Sequence, residues 1–196
     1  MTAPVIVGIS GASGAIYGIE TLRMLRELSI PTHLVISELG TRTITIETDQ
    51  SVEDVRALAD ETYNIKDLAA AISSGSFKTA GMIVAPCSIK TLSGIASSFS
   101  MNLLVRAADV TLKECRPLVL LVRETPLHKG HLRLMSLAAD NGARIMPPVP
   151  AFYNRPKTLN DIVRHTTARA IDLLGISHDL CDRWPDLLDP SEKMTD

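Results

Sequence analysis

The stretch PVIVGISGASGAIYGIE, residues 4–20, holds the side chains whose order points most directly to chemistry. A β-branched apolar run breaks into glycines and small hydroxyl residues, then resumes with helical spacing. Gly8, Gly11 and Gly14 permit a tight turn and a close approach of backbone to ligand, while Ser10 and Ser13 bring hydroxyls beside the first N–H groups of the following helix. The pattern predicts a phosphate cradle at a strand-to-helix turn, with a nucleotide or another phosphorylated cofactor as its ligand. Position 9 is Ile9 rather than the second glycine of a GxGxxG fingerprint. The next apolar run, THLVIS, ends in Ser37 rather than in the acidic residue that would hold a dinucleotide ribose. A hydroxyl there suits a phosphate or a ring edge and favours a mononucleotide such as FMN, although Glu38, next in the chain, keeps ribose recognition open. A glycine turn that serves packing alone competes with both readings.

The elements that must position these residues follow from hydrophobic patterning. VIVGI (5–9), THLVIS (32–37), GMIVAP (81–86) and PLVLLV (117–122) are near-continuous apolar runs, with a weaker fifth at ARIMP (143–147). Runs of that kind belong to strands buried on both faces, so the sheet is expected to be parallel. Helical periodicity over 14–29, 51–62, 88–98, 102–114, 127–141 and 158–174 alternates with them, and Pro156, Asn160 and Gly175 bracket the last of these. The expectation is an α/β, doubly wound, Rossmann-like three-layer sandwich forming a single domain over residues 1–196. Ligands in such sheets bind at the carboxyl ends of strands. GASG, Ser37, CSIKT (87–91) and RETP (123–126) all fall there and form one candidate site.

Composition narrows the class. A formal net charge of −2 with 21% charged residues argues against a nucleic-acid surface, and 45% hydrophobic residues argue against disorder. Cys87, Cys115 and Cys181 are odd in number and lack CxxC spacing, which fits a reducing cytoplasm. No apolar run reaches membrane-spanning length, so no membrane span is expected.

Read in order, GISGASGAIYG, HLVIS, ETD at 47–49, SSGSF at 73–77, PCSIKTLSGI at 86–95, RAADVTLKE at 106–114, PLVLLVRETPLH at 117–128 and PPVPAFYNRP at 147–156 closely resemble the UbiX family of flavin prenyltransferases. The resemblance runs in register through nearly the whole chain. It implies transfer of a dimethylallyl group from dimethylallyl phosphate to reduced FMN, giving prenylated FMN, which serves UbiD-type decarboxylases, including the one in ubiquinone biosynthesis. By the same resemblance Gly11, Ala12, Ser13, Ser37, Ser88, Ile89, Lys90 and Thr91 contact FMN and Arg123 completes that site. Tyr153 and Arg169 hold the prenyl phosphate with help from Lys113, Arg106 and Glu124. The family assembles as dodecamers with sites at subunit junctions, so some of these residues are expected to act on a neighbour's ligand. Glu38 stands where the family commonly has lysine, Gly40 where it has alanine, and Met101 where a polar turn residue is usual.

The chemistry fits these residue types. A departing phosphate asks for fixed cations, which Arg106, Lys113 and Arg169 supply, and Arg suits bidentate phosphate contact. No aspartate-rich pair of the magnesium-clamping kind is present, so the mechanism is expected to need no metal. Glu47 and Glu124 are the candidates for proton transfer, with Lys113 beside them as a catalytic candidate.

Plainer explanations exist for each. Lys113 follows Asp109 by four residues and could form an ordinary helix pair. Arg106 could belong to a solvated stripe, Glu47 could be a helix-end charge, Arg123 a structural ion-pair partner, and Tyr153 a packing aromatic whose hydroxyl finds a neighbour. His128 and His131 suit capping or surface packing better than a metal, and Cys87 reads as a small buried residue. Two other functions remain as alternatives: an FMN-dependent decarboxylase of the cysteine-decarboxylating type, whose PxMNxxMW motif cannot be placed here, and a flavin carrier without catalysis.

Overall fold

The computed structural model describes residues 3–183. Six parallel strands run in the order β3-β2-β1-β4-β5-β6, comprising β1 (Val5–Ile9), β2 (Thr32–Ile36), β3 (Glu61–Tyr63), β4 (Gly81–Cys87), β5 (Leu118–Val122) and β6 (Arg144–Ile145). The order reverses between β1 and β4, which pair from Val5↔Gly81 to Gly8↔Val84. That junction is the switch point at which the two flanking loops diverge and leave a crevice.

Side chains alternate across each strand, so the apolar runs feed two cores. Val5, Val7, Ile9, Ile83, Ala85, Val119 and Leu121 face α1 (Ala15–Glu27) and α7 (Leu159–Asp172). Ile6, Met82, Val84, Leu118, Leu120 and Val122 face α4 (Ile89–Ala96), α5 (Leu103–Lys113) and α6 (Lys129–Asp140). Every residue of β1, β4 and β5 is buried, as a strand covered on both faces requires.

Two segments differ from the sequence expectation. Residues 51–62 do not form one helix. α3 (Val52–Arg56), closed at its start by a Ser51–Asp54 capping box, gives way to the edge strand β3. Residues 38–47, outside the spans expected to be helical from periodicity, form the helix α2 (Glu38–Glu47). Its ELGTRTITIE sequence is rich in β-branched residues that ordinarily disfavour helix. Ser37 caps it by accepting from the Gly40 N–H at 3.0 Å, and the Thr41, Thr43 and Thr45 hydroxyls donate to carbonyls three or four residues back. The remaining helices agree with their expected spans to within a few residues at each end. Among the described residues no helix is long and apolar enough to cross a membrane.

Candidate active site

A cleft of about 340 Å³ opens at the switch point, lined by Gly11, Ser37, Glu38, Leu39, Ile65, Lys66, Ser88, Lys90, Thr91, Met101 and Asn102. It gathers the residues that follow β1, β2 and β4, together with the start of α5. Five of the expected flavin contacts, Gly11, Ser37, Ser88, Lys90 and Thr91, line it directly. Ala12, Ser13 and Ile89 lie beside these in the same two turns. A larger cleft of about 440 Å³ adjoins it along β2 and β3, sharing Glu38 and Ile65, but it contains neither the glycine turn nor the Ser88 cap.

Each rim residue has a local reason for its place. A Cβ on Gly11 would lie 2.2 Å from the Leu39 Cβ, so only glycine lets the turn after β1 pass beneath α2. Ser10 is fully buried and works as a brace between loops: its hydroxyl donates to the Pro86 carbonyl at 2.8 Å and accepts from the Ser88 N–H at 2.7 Å. Ser88 in turn caps α4, accepting from the Thr91 N–H at 3.3 Å and donating to the Thr91 hydroxyl at 3.1 Å. These bonds fix the β1 and β4 loops to each other before any ligand arrives.

The glycine turn does not present a bare helix end. Gly14 takes up φ +100°, and its N–H donates to Glu47 Oε2 at 2.8 Å, with the Ala15 N–H donating to the same oxygen at 3.0 Å. Glu47, the last residue of α2, therefore occupies the anion position at the start of α1. The expected phosphate cradle at α1 is corrected on this point, because a carboxylate from the chain itself already meets those amides. Ser10, expected to offer its hydroxyl to a ligand, is likewise committed internally. The fit to a flavin nucleotide rests instead on the cleft's volume, the bare backbone at Gly11 and the hydroxyls of Ser37, Ser88 and Thr91. Those residues fit the group.

Arg123 and Glu124 follow β5 at the same edge of the sheet. The Arg123 N–H donates to the Cys87 carbonyl at 3.0 Å, and its guanidinium is exposed with no ion-pair partner among the described residues. Glu124 is exposed and accepts from the Thr125 N–H at 3.1 Å. Lys66 reaches across the cleft mouth to Glu38 at 3.1 Å, so the acidic residue at position 38 brings its own cation. Burial raises the Cys87 thiol well above its ordinary pKa, which leaves it a packing residue.

One subunit does not bring the cations of the prenyl-phosphate set to this rim together. α5 starts at the cleft, where Met101 and Asn102 line the wall, and runs about 15 Å toward the opposite edge of the sheet. Arg106 sits one turn in, bonded to the Ser73 carbonyl at 3.2 Å and to Asp109 at 3.0 Å. Lys113 lies at the far end and pairs with Glu114 at 2.9 Å, not with Asp109 as the helix spacing suggested. Its ammonium, hydrogen-bonded to Glu114, holds that carboxyl below the usual range. Arg169 lies in the later turns of α7, exposed and paired with Asp172, which also receives both Arg183 amino groups, at 2.6 and 2.9 Å. Tyr153, in the loop before α7, meets His165 Nε2 through its hydroxyl at 3.0 Å.

Sequence reasoning missed several contributors. Ile65 and Lys66 enter the wall from the loop after β3, a strand whose largely exposed ETY signal is too short to show. Arg116 pins the SSGSF loop to the end of α5 through the Gly75 and Phe77 carbonyls, each at 2.8 Å. His128, by contrast, is the cap that the sequence favoured over a metal ligand: it opens α6, its Nδ1 accepting from the Gly130 N–H at 3.0 Å, with the His131 ring 3.6 Å away.

Comparisons with known proteins cover most of the chain. Residues 2–170 match the Flavoprotein family model. The chain is 60% identical over 182 residues to the flavin prenyltransferase UbiX of Escherichia coli K12, covering 91% of this chain and 96% of that protein. Among solved structures it is similar to AnUbiX (PadA1) in complex with FMN and dimethylallyl pyrophosphate, with TM-score 0.92, 47% identity and coverage of 94% and 98% of the two chains. It is also similar to a dodecameric FMN-dependent UbiX-like decarboxylase from Escherichia coli O157:H7, with TM-score 0.89, 50% identity and coverage of 92% and 98%.

Proposed function

The chain belongs to the UbiX flavin prenyltransferases of the Flavoprotein family, and from that premise we propose how its residues divide the transfer of a dimethylallyl group to reduced FMN. The observation that carries the reading is the cleft at the β1/β4 switch point, into which Gly11, Ser37, Ser88, Lys90 and Thr91 converge. Gly11 to Ser13, Ser37 and Ser88 to Thr91 hold FMN there, and Arg123 closes the site. The bound flavin supplies an electron-rich ring nitrogen and carbon for alkylation.

The chain's own residues do the rest. Lys113, Arg106, Tyr153 and Arg169 bind the donor phosphate and stabilise its departure by charge-assisted hydrogen bonds. Glu47, held by the amides of Gly14 and Ala15, and Glu124 accept the protons released on alkylation and ring closure. Because α5 and α7 carry Lys113 and Arg169 away from their own rim, these cations serve the cleft of a neighbouring copy in an oligomer of the dodecameric kind seen in the relative. Prenylated FMN passes to a decarboxylase of the UbiD type.

Anaerobic incubation of the purified protein with reduced FMN and dimethylallyl phosphate tests the reading. Mass spectrometry is expected to find flavin heavier by one prenyl unit. FMN that binds and is recovered unmodified overturns it and leaves the carrier alternative standing.

A further inference from the structure

The transfer as assigned above gives a part to Tyr153 and none to its hydrogen-bond partner His165. Tyr153 is 43% exposed, whereas His165, in the second turn of α7, is 8% exposed. The phenol oxygen lies 3.0 Å from Nε2, and the rings meet edge to face with centroids 5.5 Å apart at 82°. Arg169 follows His165 by four residues, so both project from one face of α7. A phenol has one proton to give. If Nε2 accepts it, the oxygen offers an incoming phosphate only lone pairs. If an Nε2–H donates instead, the phenol keeps its proton for an acceptor other than the histidine, and a phosphate can serve as one.

We propose that His165 is a positioning residue for the prenyl donor: its Nε2–H donates to the Tyr153 oxygen and turns the Tyr153 hydroxyl toward a phosphate held beside Arg169. The inference rests on the assignment of Tyr153 and Arg169 to the donor phosphate. The groups around the imidazole support it. Burial first, then the Arg169 cation with Arg183 adding to it, hold the ring below its ordinary pKa against the opposite pull of Asp172 and Asp182. The ring is therefore neutral at pH 7, and which nitrogen carries its proton decides the direction of the phenol bond. An anion at Arg169 selects the Nε2–H form, because only that form leaves the phenol a donor.

The test is steady-state kinetics at saturating reduced FMN with dimethylallyl phosphate varied. In His165→Phe the KM for dimethylallyl phosphate is expected to rise about tenfold, the scale of one hydrogen bond to a charged group, with kcat and FMN affinity nearly unchanged. His165→Gln, whose amide N–H can reach the same oxygen, is expected to stay within about threefold of wild type, again on the scale of a partly retained bond. Tyr153→Phe and the double variant Tyr153→Phe/His165→Phe are expected to match each other, since the histidine acts through the hydroxyl. The wild-type KM, taken as a ratio to that of His165→Gln to cancel the donor's own ionisation, is expected to fall as pH drops through the imidazole pKa, because an imidazolium can only donate.

A normal KM in His165→Phe, additive effects in the double variant or a flat pH ratio overturns the proposal. If His165→Phe fails to bind FMN, the Gln variant and the pH ratio decide. Unchanged KM in both Tyr153→Phe and Arg169→Ala sinks the phosphate-site reading itself. Raised KM in those two beside a normal His165→Phe sinks only the role of the histidine.

Discussion

The rim of the β1/β4 cleft and the basic residues of α5 and α7 differ in how their polar groups are committed. At the rim, Ser10, Ser88 and Thr91 brace one another, and Glu47 is held by two amides, so the cleft has its shape within a single chain. On the two helices each cation of the expected phosphate set is already paired with a carboxylate close by in sequence: Arg106 with Asp109, Lys113 with Glu114, Arg169 with Asp172. The rim is a preformed receptor. The helical cations are neutralised by near neighbours, and under the proposed function a donor phosphate in another copy's cleft redirects them.

The sharpest test of this division is Glu47→Gln, which keeps the shape of the side chain and removes its basicity. Turnover is expected to drop by about 10²–10⁴, the range of general acid–base contributions, while FMN titration stays normal. Lys113→Ala is expected to lose about 10²–10³ in turnover, as when one donor to a developing anion is removed, again with normal FMN binding. Mixing the two inactive variants, unfolded and reassembled together, is expected to regain activity that neither shows alone, because one chain supplies the carboxylate and the other the ammonium. Unrecovered activity in a properly assembled mixture breaks the comparison by returning Lys113 to its own rim.

Smaller effects belong to the rim's architecture. Gly11→Ala forces a methyl against Leu39 and is expected to lower stability by about 1–3 kcal/mol, with FMN affinity falling in parallel, measured by denaturant melts with and without FMN. Ser88→Ala removes the α4 cap and is expected to lower stability by about 1 kcal/mol. The smallest effect lies far from the cleft. Burial disfavours the Asp172 carboxylate, but the Arg183 hydrogen bonds and the charges of Arg183, His178 and Arg169 outweigh it and leave its pKa lowered. The unfolded chain therefore binds that proton more readily, and the stability Asp172 contributes is present above about pH 4 and is lost as pH falls through the folded value. Acid melts of Asp172→Asn are expected to lack that portion of the slope.

Much of the fold was legible because burial on both faces writes itself as uninterrupted apolar runs, and β1, β2, β4 and β5 all carry one. β3 was not, because three residues at a sheet edge, two exposed and one half-buried, carry no such run. α2 was hidden for another reason. Its threonines argue against helix by intrinsic preference, and what overrides them is a set of local bonds, the Ser37 cap and threonine hydroxyls returning to backbone carbonyls, which no hydrophobic period records. The glycine turn and the hydroxyl loops of the site were visible from residue type. That Ser10 faces inward, and that α1's amides already hold Glu47, depends on how α2 lies across the turn, and α2 was the element whose pattern was obscured.

Glu47 ends one helix and receives the first amides of another, so moving a proton onto it slackens the closure of α2 upon α1 at the same instant. Chemical state and mechanical tether are then a single variable at that point. Deuterium uptake at the amides of Gly14 and Ala15 becomes a gauge of whether the carboxylate has been discharged, readable without following any product.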